Sequence, residues 1–250
     1  MSLDPTSSLE QLGDAVARYA ALLGSVDEEV LDHEVPACPG WSARDLTIHL
    51  GGVHRWAAAI VLSGSRVPDE PEPLVRGPLG AWYEGCAAAL LTALRAVDPA
   101  EPTPNFSRLD EIAAFWPRRQ LHETTVHAVD LAQTLGAPED DWGVTPEVAA
   151  DGIGEVVRVF FTRLTARGRR PHVASPVRLE ASDTGRSWTI APGVIPDAPP
   201  VVRHAEVPTD DVVRGTSVEL YLGLWRRLPH ERLEVVGDAA TAMLAGPLTT

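Results

Sequence analysis

The chain has 250 residues, 44% of them hydrophobic, which is enough to bury one core or two modest ones. Its 35 Asp and Glu outnumber 21 Lys and Arg, giving a formal net charge of −14 and a pI near 4.9. That balance excludes a nucleic-acid binder, whose affinity rests on cationic contacts to phosphate, and it disfavours an anionic lipid surface.

The N-terminal stretch MSLDPTSSLEQLGD is polar and acidic, with neither a basic nor an apolar leader region, so no signal peptide is expected in it. Residues 7–23 carry apolar positions at helical spacing and predict a first helix. The turn PACPGWS at 36–42 follows, and Ser42 with Asp45 three residues on predicts the capped start of a second helix running to about Leu62. Residues 64–73 predict a loop, 77–97 a third helix, and 109–135 a fourth. Pro117 is expected to start or kink that fourth helix, and Gly136 to end it. A fifth helix is expected over 145–167, opened by Thr145-Pro146. Nothing along the chain is apolar for the eighteen or more residues that a membrane-spanning helix needs. Cys38 and Cys86 make neither a CxxC pair nor a disulfide framework, so a cytoplasmic protein is expected.

The texture changes near Arg170. Residues 177–191 alternate apolar and polar around Asp183-Thr184-Gly185, a hairpin pattern. A third strand fits VVRHAEV (201–207) or DVVRG (211–215), a helix 215–226, a strand LEVVGD and a closing helix 237–245. The fold class expected is α+β. A helical bundle over 1–169 precedes a small α/β domain over 170–250.

The segment from Arg119 to Asp130 carries the chemistry. It reads Arg-x-x-His-Glu-x-x-x-His-x-x-Asp, which is not the HExxH of zinc proteases. At about 100° per residue, His122 and His127 lie too far apart around a helix to share an ion. Glu123 and His127 are four apart, lie on one face and offer an oxygen and a nitrogen ligand. Arg119 lies one turn before this pair, and Asp130 one turn after it. A third ligand is expected from a facing helix, and His49, mid-helix beside Leu46 and Val53, is the candidate. Three protein ligands leave a coordination position open, as catalytic zinc requires. Each residue also has a plainer reading. His49 could be a core histidine, Glu123–His127 a surface pair, Asp45 a cap or an orienting group for His49, and Cys38 a small turn residue or a reactive thiol. His54, five positions from His49, is expected on another face. Trp41, Trp56, Trp82 and Trp116 are expected in the core or at its edge.

Three segments taken together carry a resemblance. Trp41-Ser-x-x-Asp-Leu-x-x-His-Leu50 with Arg55-Trp56, the Arg119–Asp130 segment, and Gly215-Thr-Ser-Val-Glu-Leu-Tyr-Leu-Gly-Leu-Trp-Arg-Arg-Leu228 closely resemble the mycothiol-dependent maleylpyruvate isomerase family of DinB-like metal-binding four-helix bundles. The Arg-rich, Lys-poor composition suits a high-GC actinobacterium, the group that makes mycothiol. The resemblance implies a divalent metal, usually zinc, on His49, Glu123 and His127, with mycothiol as thiol cosubstrate. It also implies a small α/β C-terminal domain whose Arg227 helps hold an anionic substrate. Family members commonly read Leu-Trp-Gly-Arg where this chain has Arg226 in place of the glycine; a glycine there permits close approach or an unusual backbone angle, so the resemblance leaves the local geometry of Arg227 open.

The chemistry implied is addition of a metal-activated thiolate to an electrophilic small molecule. Loss of the thiolate after bond rotation gives cis–trans isomerisation, and its retention gives S-transfer. A metal-dependent hydrolase that uses no thiol and a non-catalytic binder on the same scaffold remain open. A monomer or small homo-oligomer is expected.

Overall fold

The computed structural model describes residues 3–68, 75, 77–107, 109–195, 197–203 and 207–249. The predicted loop over 64–73 lies outside the described residues from 69 onward, as do 204–206 of the segment 201–207. The chain divides into two compact units, one over 3–105 and 110–143, the other over 106–109 and 144–250.

The first unit is helical. Helix α1 (Pro5–Gly24) begins at Asp4, whose carboxylate accepts from the Thr6 and Ser7 N–H groups. It buries Leu12, Val16, Tyr19 and Leu23 along one stripe. Helix α2 (Ala43–Ser63) opens with the expected reciprocal cap between Ser42 and Asp45 and ends on Gly64 at φ +60°. Helix α3 (Leu79–Ala96) and helix α4 (Phe115–Thr134) complete the unit. The predicted fourth helix is shorter than 109–135. Pro117 falls in its first turn, where the missing N–H leaves no hydrogen bond unmade. Upstream, Ile112 pairs with Pro102 in an isolated antiparallel bridge, and the buried Trp116 indole donates to the Pro104 carbonyl. Helix α1 packs on α3 and α4, and α2 packs on the same two, around Leu12, Tyr19, Leu46, Leu50, Tyr83 and Leu121. Helix α4 is capped by Leu135, and Gly136 takes the left-handed φ of +67° that the expected stop requires.

The second unit begins with α5 (Pro146–Glu155), a π-helical turn (Val156–Phe161) and α6 (Thr162–Ala166). These three occupy the predicted fifth helix. They group with the sheet that follows, so the expected boundary at 169/170 lies inside this unit. Packing is the reason. Helix α5 buries Val148, Ala149, Ile153 and Gly152, and Gly152 approaches the Tyr221 ring so closely that an added Cβ would lie 2.2 Å from it. A change from helical to alternating pattern does not reveal which neighbour a helix covers.

The sheet contains β1 (Val177–Ala181), β2 (Ser187–Ala191), β3 (Val201–Arg203), β4 (Val212–Gly215) and β5 (Glu234–Val236), in the order β3-β2-β1-β4-β5. Strands β1 and β2 form the expected hairpin, with Leu179 opposite Trp188. Strand β1 pairs parallel to β4, and the remaining pairs are antiparallel. Both candidates for the third strand therefore form one. Helix α7 (Ser217–Leu224) starts from a Thr216–Glu219 capping box and packs on α5, β1 and β4. Helix α8 (Asp238–Ala245) packs on β1 and β5. The architecture is α+β with a helical N-terminal part, as expected. Among the described residues no helix is long and apolar enough to cross a membrane.

Candidate metal centre

Two helices and one turn of the first unit converge on a polar cluster. From α2, the capping box fixes the helix register seven residues before His49. Asp45 makes that cap, accepting from the Ser42 N–H at 2.9 Å, so it caps the helix start. From α4 come Arg119, Glu123, His127 and Asp130, at intervals of three and four that align them on one stripe.

Glu123 Oε1 lies 3.5 Å from His49 Nε2 and 3.4 Å from His127 Nε2. Ligands at zinc-bond lengths in a tetrahedron stand about 3.3 Å apart, so each nitrogen stands from the shared oxygen close to the spacing that two ligands of one ion would have. The donor atoms of all three residues lie within 4.8 Å of one another. The donor set, two imidazoles and a carboxylate, suits zinc and other borderline divalent metals. The other carboxylate oxygen of Glu123 is engaged elsewhere. Its Oε2 accepts from Arg119 Nη2 at 2.5 Å, and Arg119 is only 2% exposed. Burial would raise the Glu123 pKa. The Arg119 guanidinium and hydrogen bonds from His127 and His49 overcome that and hold it well below the usual carboxylate range.

His127 is held on its other nitrogen. Its Nδ1 lies 2.9 Å from Oδ2 of the fully buried Asp130, a carboxylate placed as one that would orient the ring of a metal-binding histidine. Burial works against the charged ring, but Asp130 and Glu123 together raise the His127 pKa to about 9. The Cys38 thiol donates to the same Asp130 oxygen at 3.8 Å. Cys38, His127 and Asp130 are thus a second group with donor atoms close together. The 2.9 Å Nδ1–Oδ2 contact makes that group a hydrogen-bonded relay into the first. The turn is built for the placement. Trp41 N–H donates to Cys38 C=O at 3.0 Å, and Pro39 and Gly40 (φ +82°) occupy the central positions of a type II turn. It sets the Trp41 ring centroid 4.9 Å from that of His49, leaving Trp41 36% exposed at the edge of the cluster and outside the core.

The other histidines of these helices stay out of the cluster. His122 is buried and contributes no atom to either group, as its angular position requires. His54 is fully buried, and burial pushes its pKa down to about 3, so it is neutral. The Thr124 hydroxyl donates to the Gln120 carbonyl at 2.7 Å, so its oxygen accepts from His54 Nε2 at 3.1 Å, which fixes the tautomer. Cys38 and Cys86 are both free thiols. The link from Cys38 through Asp130 to His127 is absent from the sequence reading. The one signal for it is the three-residue interval between His127 and Asp130.

Arg227 belongs to the second unit, just past α7. Trp225 is the C-cap, and Arg226 takes the left-handed φ of +58° that a glycine normally supplies. Arg226 N–H bonds Gly223 C=O, and Arg227 N–H bonds Leu222 C=O at 2.8 Å, the pair of contacts of a Schellman motif. The Arg226 guanidinium reaches the Gly246 carbonyl at 2.6 Å, at the end of α8. Arg227 Nη1 donates to the Trp225 carbonyl at 2.8 Å.

Comparison with known proteins gives two family matches that together span most of the chain. Residues 12–132 match the mycothiol maleylpyruvate isomerase N-terminal domain, and residues 147–243 match the MDMPI C-terminal domain. No curated protein matches the chain. Two solved structures share its fold. A crystal structure of the mycothiol-dependent maleylpyruvate isomerase has a TM-score of 0.68 at 16% identity. A crystal structure of a histidine-to-alanine mutant of that isomerase has a TM-score of 0.69 at 15% identity. In both cases 99% of this chain and 97% of the other are covered.

Proposed function

The chain belongs to the mycothiol-dependent maleylpyruvate isomerase family, and on that premise we propose that it uses a divalent metal, zinc by donor type, to activate mycothiol for addition to an electrophilic small molecule. The observation that carries this reading is the convergence of His49 Nε2 and His127 Nε2 on one oxygen of Glu123, a group to which the described residues add no fourth ligand. A metal held there would keep a coordination position for the thiol and favour its thiolate form at neutral pH. The protein's own groups do the rest. Asp130 fixes the ring of His127, and Arg119 fixes the carboxylate of Glu123. Trp41 offers an apolar edge beside His49. Arg227 is assigned, from the family resemblance, to the carboxylates of an anionic substrate.

The thiolate adds to an activated cis double bond, the resulting single bond rotates, and loss of the thiolate leaves the trans alkene. If the thiolate stays, the same addition is an S-transfer. The acidic balance of the chain suits neither nucleic acid nor an anionic membrane as partner, and the cytoplasm, where small thiols are kept reduced, is the compartment proposed.

The test is metal content followed by a thiol titration. The purified protein should hold close to one equivalent of divalent metal. Mycothiol should then raise its unfolding temperature, by about 2.7 kcal/mol of stabilisation at a hundredfold excess over the dissociation constant. Electrophiles, maleylpyruvate first, should be consumed only with the thiol present. Bound metal without thiol-linked stabilisation would overturn the thiol mechanism in favour of a metal-dependent hydrolase or a binder.

A further inference from the structure

We infer that Arg119 is a positioning residue that keeps Glu123 a one-oxygen ligand, and so keeps the coordination position for the thiol from being filled by the protein itself. This rests on the metal reading above and deepens it. The two oxygens of Glu123 are divided between partners. Oε2 is held at 2.5 Å by a guanidinium that is almost wholly out of solvent, while Oε1 alone faces the two imidazoles.

A free carboxylate beside a divalent cation can turn both oxygens onto it, because the second oxygen sits only about 2.2 Å from the first on the same carbon. With Arg119 in place, that rotation breaks a buried charge-assisted hydrogen bond. The arginine therefore opposes two-oxygen coordination. It acts in a second way as well. A carboxylate that shares its charge with a guanidinium donates less of it to a metal, which leaves the metal a stronger acid toward a thiol.

Arg119 precedes Glu123 by four residues on an α-helix, so a plain helix-stabilising ion pair is the competing explanation. The two differ in the sign of one measurement. A helix-stabilising pair predicts that loss of Arg119 weakens metal binding or leaves it alone. A restraining pair predicts that loss of Arg119 tightens metal binding, because Glu123 gains a second bond to the ion, while thiol binding falls.

The experiment compares wild type, Arg119→Met and Arg119→Lys, each loaded with cobalt(II) and with zinc(II). Cobalt(II) absorption separates four-coordinate from higher-coordinate ions, X-ray absorption on the zinc forms counts oxygen neighbours, and competition with a chelator gives affinity. For Arg119→Met we expect a weaker, higher-coordinate cobalt spectrum, one additional oxygen around zinc and about tenfold slower metal release, the scale on which outer contacts act. Arg119→Lys, which keeps a cation within reach, restores the wild-type spectrum. If Arg119→Met folds only when metal is present, spectrum and release rate are read on the loaded protein. Unchanged coordination with equal or faster release in Arg119→Met overturns the inference. A wild type that takes up no metal overturns the metal reading itself.

Discussion

Metal binding to this cluster must displace a proton, and the size of that effect can be worked out. Asp130 and Glu123 hold the His127 pKa up at about 9, whereas a ligand must be the neutral ring. At pH 7 the ring is then neutral in about one molecule in a hundred, so metal binding is about a hundredfold weaker than for a deprotonated site, or roughly 2.7 kcal/mol. Affinity should climb about tenfold per pH unit from 7 to 9 and then level. Competition with a chromophoric chelator across that range gives the slope. Calorimetry in two buffers of different ionisation heat gives the proton released from His127, close to one per metal. Asp130→Asn removes the negative partner of His127, so the rising limb should move to lower pH. The metal-free protein carries the same linkage with opposite consequences. The His127 pKa is raised above its unfolded value of 6.5, so its stabilisation is fully present below that pH and lost as pH climbs through about 9. The amount is on the order of 3 kcal/mol. Glu123 is depressed below its unfolded 4.5, so its contribution is present above that pH and lost in acid. An affinity that is flat between pH 7 and 8.5, or a rising limb left at the same pH by Asp130→Asn, would refute the assigned role of His127.

Other positions give independent tests. In Gly51→Ala, the new Cβ would meet the Trp82 ring at 2.3 Å where α2 crosses α3, and a thermal melt should register about 1–3 kcal/mol of destabilisation. Arg226→Gly relieves a left-handed arginine but loses its contact with the Gly246 carbonyl, so denaturant titration should find it near neutral. Arg226→Ala keeps the strain, loses the contact and should fall about 1 kcal/mol below it. Arg227→Ala should keep its full metal content while turnover of an anionic electrophile drops, and a fully active variant would remove the substrate-anchoring role.

The main helices and the pair Glu123–His127 were legible because both follow from one period. A residue's face on a helix depends on its neighbours three and four away, and Pro117, Gly136 and the Ser42 cap punctuate that period with their own backbone chemistry. His49 was legible only as an inward residue in need of partners. Arg226 is an instructive case. A glycine expectation at that position pointed to an unusual backbone angle, and the arginine adopts that angle, tethered by its own guanidinium to the end of α8. What escaped depends on long-range packing. Cys38 meets Asp130 across 92 residues, and no spacing rule reaches that far. The same limit hid the allegiance of α5, whose periodicity names a buried face and leaves its neighbour unnamed. Trp41 is expected in the core or at its edge, and its turn holds it 36% exposed beside His49.

The charges around the cluster explain how α4 tolerates so many buried ionic groups. Arg119, Glu123, protonated His127 and Asp130 are two cations and two anions, paired at hydrogen-bond distance along a single stripe of α4. The metal-free protein therefore buries a neutral set, which is what makes burial tolerable in a chain whose overall charge is −14. Exchange of the His127 proton for a divalent cation leaves that set with one net positive charge. A thiolate arriving at the open position returns it to neutrality, whereas a neutral thiol does not. On the metal reading proposed above, a preference for the ionised nucleophile would follow from the pairing of these four side chains, with Arg119 and Asp130 setting it from outside the proposed ligand set.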